Sequence, residues 1–195
     1  MTVPLRVEGP AETVKKDIEP ADPSADMLVW LGRYGVSWTD FCRHGGFASR
    51  TRLVFRCDAF TALRACSPGM HPKWLTDVRV PLVDISRHTR AGWGWWSPAG
   101  SDVTVVCEDS LGAFKAYLAG FNGFPLLGTA ANRLDPRILG DQKILVLTDP
   151  DDAGRMAGQR LQWRLRGLDV KVVNGKEPKE HTLPELRSLV SDIWR

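Results

Sequence analysis

The 195-residue sequence predicts an α/β protein: a parallel sheet with helices on both faces, preceded by a small basic α+β subdomain. Two observations carry this reading. Beyond residue 102, short apolar β-branched runs alternate with segments of helical spacing, as in strand–helix–strand units that cover both faces of a parallel sheet. Before it, positive charge is concentrated. Residues 1–26 carry three basic and six acidic groups, 27–100 carry ten and four, and 101–195 carry thirteen of each, which gives −3, +6 and 0 and the overall +3. A basic block beside a neutral one points to a bound polyanion, although a solvated arginine-rich surface gives the same count. The expected organisation is a flexible N-terminal segment at 1–25, the basic subdomain at 26–100 and the α/β domain at 101–195.

Each element follows from local pattern. Residues 1–25 are rich in Pro, Glu, Asp and Ala without periodicity and read as a flexible lead-in. MLVWLGRYG (27–35) has helical spacing and stops at Gly35. The following SWTDFCRHGGFASR reads as irregular. LVFRC and AFTALRA are β-like, and 67–101, rich in Pro and Gly, reads as loops and short strands. VTVVC (103–107) is a buried parallel strand by composition. The next segment, DSLGAFKAYLAG, is a helix ending at Gly120. FPLLG (124–128) and KILVLT (143–148) are strands, and DDAGRMAGQRLQWRLRG is a helix ending at Gly167. LDVKVV (168–173) is the fourth strand and PELRSLVSDIW the closing helix.

Several function classes are disfavoured at once. No run of about 18 apolar residues exists, so no membrane span is expected, and the N-terminus lacks the basic-then-apolar order of a secretory signal. Cys42, Cys57, Cys66 and Cys107 form no CxxC pair. That favours a cytoplasmic protein, in a host cytoplasm if it is viral, with reduced thiols. Cys42, His44, Cys57 and Cys66 could be assembled into a zinc site on paper. Structural zinc ligands come in close pairs on turns, however, and only Cys42 and His44 are close, so no zinc is expected.

The chemistry is carried by acidic groups at strand ends. In parallel α/β sheets, functional groups stand just beyond the carboxyl ends of the strands. VTVVC runs into Glu108 and Asp109; KILVLT runs into Asp149, Asp151 and Asp152. If these strands are neighbours, Glu108, Asp149 and Asp151 converge. Such carboxylates repel one another unless a cation neutralises them. Oxygen ligands without Cys or His select Mg²⁺ or Mn²⁺, ions that clamp phosphates in phosphoryl transfer. The plainer alternative is that Asp149 and Asp152 cap a helix.

A Glu at a strand end, followed by a strand running into Asp149-Pro150-Asp151-Asp152-Ala153-Gly154-Arg155, resembles the Toprim domain. Three further stretches resemble DnaG-type primases, the compact bacteriophage forms above all. They are LLGTA (126–130), GKEPKEH (175–181) and TRLVFRCDAFTALRACSPGMHPKWL (51–75), which ends in Pro72-Lys73-Trp74-Leu75. The resemblance covers about residues 27–190. It implies catalytic roles for Glu108, Asp149, Asp151 and Lys73, a metal set of Glu108, Asp149, Asp151 and Glu177, and contacts to nucleotide or nucleic acid from Arg52, Arg64 and Lys73. It departs from the family at Asp109 and Gly112 after the first strand, at Glu177 where an Asp is usual, and at Lys179 where a second acidic residue often stands. Those departures put a full set of metal ions in doubt. A zinc-binding domain and a helicase P-loop are absent from the sequence.

The function so implied is a primase, an enzyme that joins ribonucleoside triphosphates into short RNA primers on a single-stranded DNA template. A replicative helicase or a separate zinc-binding subunit are candidate partners; a membrane is not. Two alternatives remain: a Toprim nuclease using the same carboxylates, and a non-catalytic nucleic-acid-binding accessory of replication. Trp93, Trp95 and Trp96 in AGWGWWSPAG could stack on bases or pack against protein.

Overall fold

A computed structural model of the protein describes residues 18–56, 60–78, 100–127, 142–176 and 178–195. Glu177, Cys57, residues 128–130 of LLGTA, the Trp93/Trp95/Trp96 cluster and residues 1–17 of the expected lead-in lie outside the described residues.

The chain opens with α1 (Ala25–Arg33), whose Ser24 side chain accepts the Met27 N–H as N-cap. A cap of this kind satisfies one of the first-turn amides that have no partner within the helix. Ahead of it, the Ala21 N–H donates to the Ala48 carbonyl at 2.8 Å. The lead-in expected through residue 25 is therefore tied down by residue 21. The stretch expected to be irregular instead holds α2 (Trp38–Arg43), capped by Ser37, and β1 (Phe47–Ala48). Six and two residues are too few to show a period. β2 (Arg52–Arg56), β3 (Phe60–Ala65) and β4 (Trp74–Val78) complete an antiparallel sheet in the order β1-β2-β3-β4.

The second half is the predicted parallel α/β unit. Its elements are β5 (Val103–Cys107), α3 (Ser110–Leu118), β6 (Asn122–Pro125), β7 (Lys143–Thr148), α4 (Asp152–Arg164), β8 (Val170–Asn174), a 3-10 turn at Pro178–Glu180 and α5 (Leu183–Ile193). The sheet order is β6-β5-β7-β8, all parallel. Thr182 and Glu185 form a reciprocal capping box at the start of α5. One strand is displaced from its expected place: β6 begins at Asn122, not Phe124, and ends before Leu127, whose φ of 57° leaves the extended region. Gly123 permits the shift, because a Cβ there would lie 1.9 Å from the Ala113 carbonyl oxygen, so α3 can lie directly against β6.

Helices cover both faces of the parallel sheet. On one face, Ile144 and Val146 share a core cluster with Leu161 and Leu165, the former on α4 and the latter its C-cap residue. On the other, Val105, Leu145 and Leu147 pack with Leu186 and Val190 of α5. The two sheets share one interior. Phe114 of α3 meets Phe41 of α2 at a ring-centroid distance of 5.9 Å and Phe55 of β2 at 6.4 Å, all three rings fully buried. Burying each ring contributes roughly 1.5–3 kcal/mol, so this trio fixes the antiparallel lobe onto the parallel one. No helix among the described residues is long and apolar enough to cross a membrane.

Candidate active site

β5 and β7 are hydrogen-bonded neighbours, with Cys107 opposite Leu147. The residues that follow them, Glu108–Asp109 and Asp149–Asp151, therefore emerge side by side, as the sequence requires for a common rim. The Asp149 N–H donates to Glu108 Oε1 at 3.3 Å, which joins the two strand ends directly. Asp151 Oδ1 accepts the Gly154 N–H at 2.7 Å and is the N-cap of α4. This corrects the alternative that Asp149 and Asp152 are the caps. Asp152 lies in the first turn and pairs with Arg155, while Asp149 faces the cleft. Asp109 caps α3 in the same way, accepting from the Gly112 N–H at 2.8 Å.

The rim borders a cleft of about 280 Å³ between the lobes. Glu108, Asp109, Ser110, Asp149 and Lys179 line one wall, and Trp74 and Thr76 of β4 line the other. Burial pushes the Glu108 carboxyl above its ordinary range. The Asp149 N–H pulls it back, the Asp151 and Asp109 charges push it up again, and Lys179 opposes them. The acidic groups thus stand close enough to feel one another. The Ser110 hydroxyl is buried without a hydrogen-bond partner.

Sequence reasoning missed two residues, Lys115 and Asn174, and named a third, Lys179, only as a departure from the family pattern. Lys179 Nζ lies 3.2 Å from Asp109 Oδ2, with both side chains about one-fifth exposed. An ammonium therefore stands inside the rim where an acidic residue was the familiar choice. Lys115, 2% exposed on α3, holds that loop: its Nζ donates to the Lys179 carbonyl at 2.6 Å and to the His181 carbonyl. Burial first, and then the positive charge of Lys176, lowers the Lys115 pKa to about 8, with Glu185 opposing them. Asn174, at the end of β8, donates to the Asp149 carbonyl at 2.7 Å and to Thr148 Oγ1 at 3.0 Å, which braces the loop after β7. A lysine amid apolar helix positions (LGAFKAYL) was the available signal for Lys115. Asn174 gave none, since its partners are 25 and 26 residues away.

The expected cations are placed unequally. Arg64 lies directly across from Trp74 in the β3–β4 pairing. Its guanidinium carbon sits 5.1 Å from the Trp30 ring centroid and 5.3 Å from that of Trp74, and its buried Nε has no hydrogen-bond partner. Lys73 is exposed beside Trp74 and is not among the residues lining the cleft. Trp74 thus stacks with Arg64. Arg52 corrects the expected nucleic-acid contact. Its side chain is 4% exposed and donates to the Pro72 carbonyl at 2.8 Å, so it braces the segment before β4. Arg50 and Arg56, its neighbours in the sequence, are exposed.

All the rim donors are oxygen atoms, the set that suits a hard divalent cation. Among the described residues, however, no three His, Cys, Asp or Glu stand together closely enough to hold one ion. Two of the carboxylates are also engaged elsewhere: Asp151 and Asp109 cap helices, and Asp109 pairs with Lys179.

No protein-family model matches the sequence, and no curated protein matches it either. Solved structures do match. A DNA primase domain from Pseudomonas aeruginosa aligns at a TM-score of 0.52 with 20% identity over 89% of this chain, which spans 60% of that domain's length. The E. coli primase catalytic core aligns at 0.53, with 14% identity, over 80% of this chain and 67% of that one. A DnaG primase catalytic domain bound to single-stranded DNA aligns at 0.50, with 17% identity, over 93% and 66%. With its antiparallel lobe packed on a four-stranded parallel sheet, this chain has the fold of a DnaG-type primase catalytic core.

Proposed function

We propose that the protein is a DNA primase, a nucleotidyltransferase that polymerises ribonucleoside triphosphates on single-stranded DNA. The observation that carries this is the cleft. Its acidic wall is built from the paired ends of β5 and β7, and its opposite wall, Trp74 and Thr76, belongs to the basic lobe. A nuclease needs the first wall alone. A polymerase must also hold a template and a triphosphate against it, and the basic lobe fits that need.

In this reading the second half is a Toprim domain, and Glu108 and Asp149, with Asp151 and Glu177, would hold Mg²⁺ or Mn²⁺. An ion held there would supply positive charge to the triphosphate oxygens and to the departing pyrophosphate. The chain's own groups do the rest. Asn174 and the Glu108–Asp149 bond fix the strand ends. Lys179 would offset phosphate charge from the rim and Lys73, exposed beside Trp74 outside the cleft lining, from the basic lobe, both as compact point charges. Arg64, packed against the Trp30 and Trp74 rings, would orient a phosphate or base. A helicase and a separate zinc-binding subunit are the partners this reading would add.

Two observations favour a second reading, a nucleic-acid-binding accessory without activity: Lys179 already neutralises part of the rim, and among the described residues the carboxylates are not gathered into a cage. The deciding experiment is primer synthesis on mixed-sequence single-stranded DNA with labelled ribonucleotides and Mg²⁺ or Mn²⁺, run beside a nuclease assay. Primers that vanish in Asp149→Asn support the primase. Cleavage without synthesis supports a nuclease, and binding without either supports the accessory.

A further inference from the structure

The parallel lobe carries no net charge, yet its charge is unevenly spread. The segment 152–166, α4 with its C-terminal turn, holds four arginines (Arg155, Arg160, Arg164, Arg166) against one acidic residue, Asp152. All four arginines are exposed. Among them stand two large apolar side chains that the fold leaves uncovered, Trp163 at 67% exposure and Met156 at 51%. Met156, Arg160 and Trp163 follow at i, i+4 and i+7 and so form one row along the helix. The Arg166 guanidinium carbon lies 4.8 Å from the Trp163 ring centroid, a cation–π contact at the surface.

We propose that this outer face of α4 binds single-stranded nucleic acid, with the arginines contacting phosphates and Trp163 stacking on an unpaired base. Positive charge interleaved with an exposed aromatic is the chemistry of sequence-tolerant single-strand binding. A protein partner docking in a hydrophobic mode would want a continuous apolar stripe, whereas here Gln and Arg separate Met156 from Trp163. The position suits a strand that extends beyond the cleft. α4 is capped by Asp151, on the rim, and its 13 residues carry the face about 20 Å away from it. The surface shares no residue with the cleft, so it stands or falls apart from the catalytic reading.

The test uses the full-length chain, a fluorescein-labelled oligothymidylate and a blunt DNA duplex, with anisotropy read in EDTA so that neither metal nor turnover contributes. Trp163→Ala should weaken oligothymidylate binding about tenfold, the loss of one base stack, and leave duplex binding unchanged. Arg160→Gln with Arg166→Gln should lower the log–log salt slope for the oligothymidylate by about 0.7 per arginine. Circular dichroism should show the helix intact in both variants, as expected for exposed positions. Unchanged affinity and slope in both would overturn the proposal and leave α4 a solvated or protein-docking face. An equal loss on single strand and duplex in Trp163→Ala would overturn the stacking role.

Discussion

Gly154→Ala offers a sharp test of how the rim is built. Alanine is the better helix former by about 1 kcal/mol, so helix propensity alone predicts a more stable protein. The structure reverses the sign. A Cβ at 154 would lie 2.2 Å from the Asp149 carbonyl oxygen and 2.9 Å from its nitrogen, and real Cβ contacts essentially never fall below 3.0 Å. Both neighbours are backbone atoms, so the loop after β7 must move. The displaced oxygen is the one that accepts the Asn174 amide at 2.7 Å. Overpacking of this kind costs about 1–3 kcal/mol and the disturbed hydrogen bond about 1 kcal/mol more, for a net loss of about 1–3 kcal/mol. For a chain of this size that lowers Tm by roughly 2–4 °C per kcal/mol, readable by calorimetry. Two comparisons sharpen it. At Gly158 the added Cβ meets the tip of Val172, Cγ1, at 2.9 Å, which can turn aside, so Gly158→Ala should lose less. Gly32 on α1 has nothing within 4 Å, so Gly32→Ala should gain about 0.5–1 kcal/mol. A Tm for Gly154→Ala equal to or above wild type would refute the close-approach argument.

Three other outcomes are expected. Lys115 titrates near 8 in the fold against 10.5 when exposed. Between those values the unfolded chain binds the extra proton, so wild type should gain stability relative to Lys115→Met as pH rises from 8 to about 10.5; parallel urea-midpoint curves across that range would contradict the buried clasp. Arg64→Ala removes a guanidinium stacked on Trp30 and Trp74 and should cost about 1–2 kcal/mol as well as nucleotide affinity; denaturant titration beside nucleotide binding checks both. Lys73→Ala, at an exposed position, should leave Tm unchanged and slow primer synthesis by about 10²-fold or more; near-normal synthesis would remove Lys73 from the proposed site.

Sequence pattern alone determined the α/β order, most of the strands and the rim of Glu108 and Asp149. Those features are local. A buried parallel strand must be continuously apolar, a helix must repeat near 3.6 residues, and strand ends are where a parallel sheet exposes side chains. Tertiary structure alone decided which charges are available. Arg52 is drawn into the fold by the Pro72 carbonyl, 20 residues away. Lys115 is buried because two carbonyls more than 60 residues along the chain meet it. Lys179 enters the rim because that same loop is pulled across α3 to Asp109. Charge counts cannot rank such residues, since the cost of burying a cation is set by partners that arrive from distant parts of the chain. The same holds for Gly123 and Gly154: their sequence signal is that of any turn or helix glycine, and only the backbone lying against each shows why no larger residue fits.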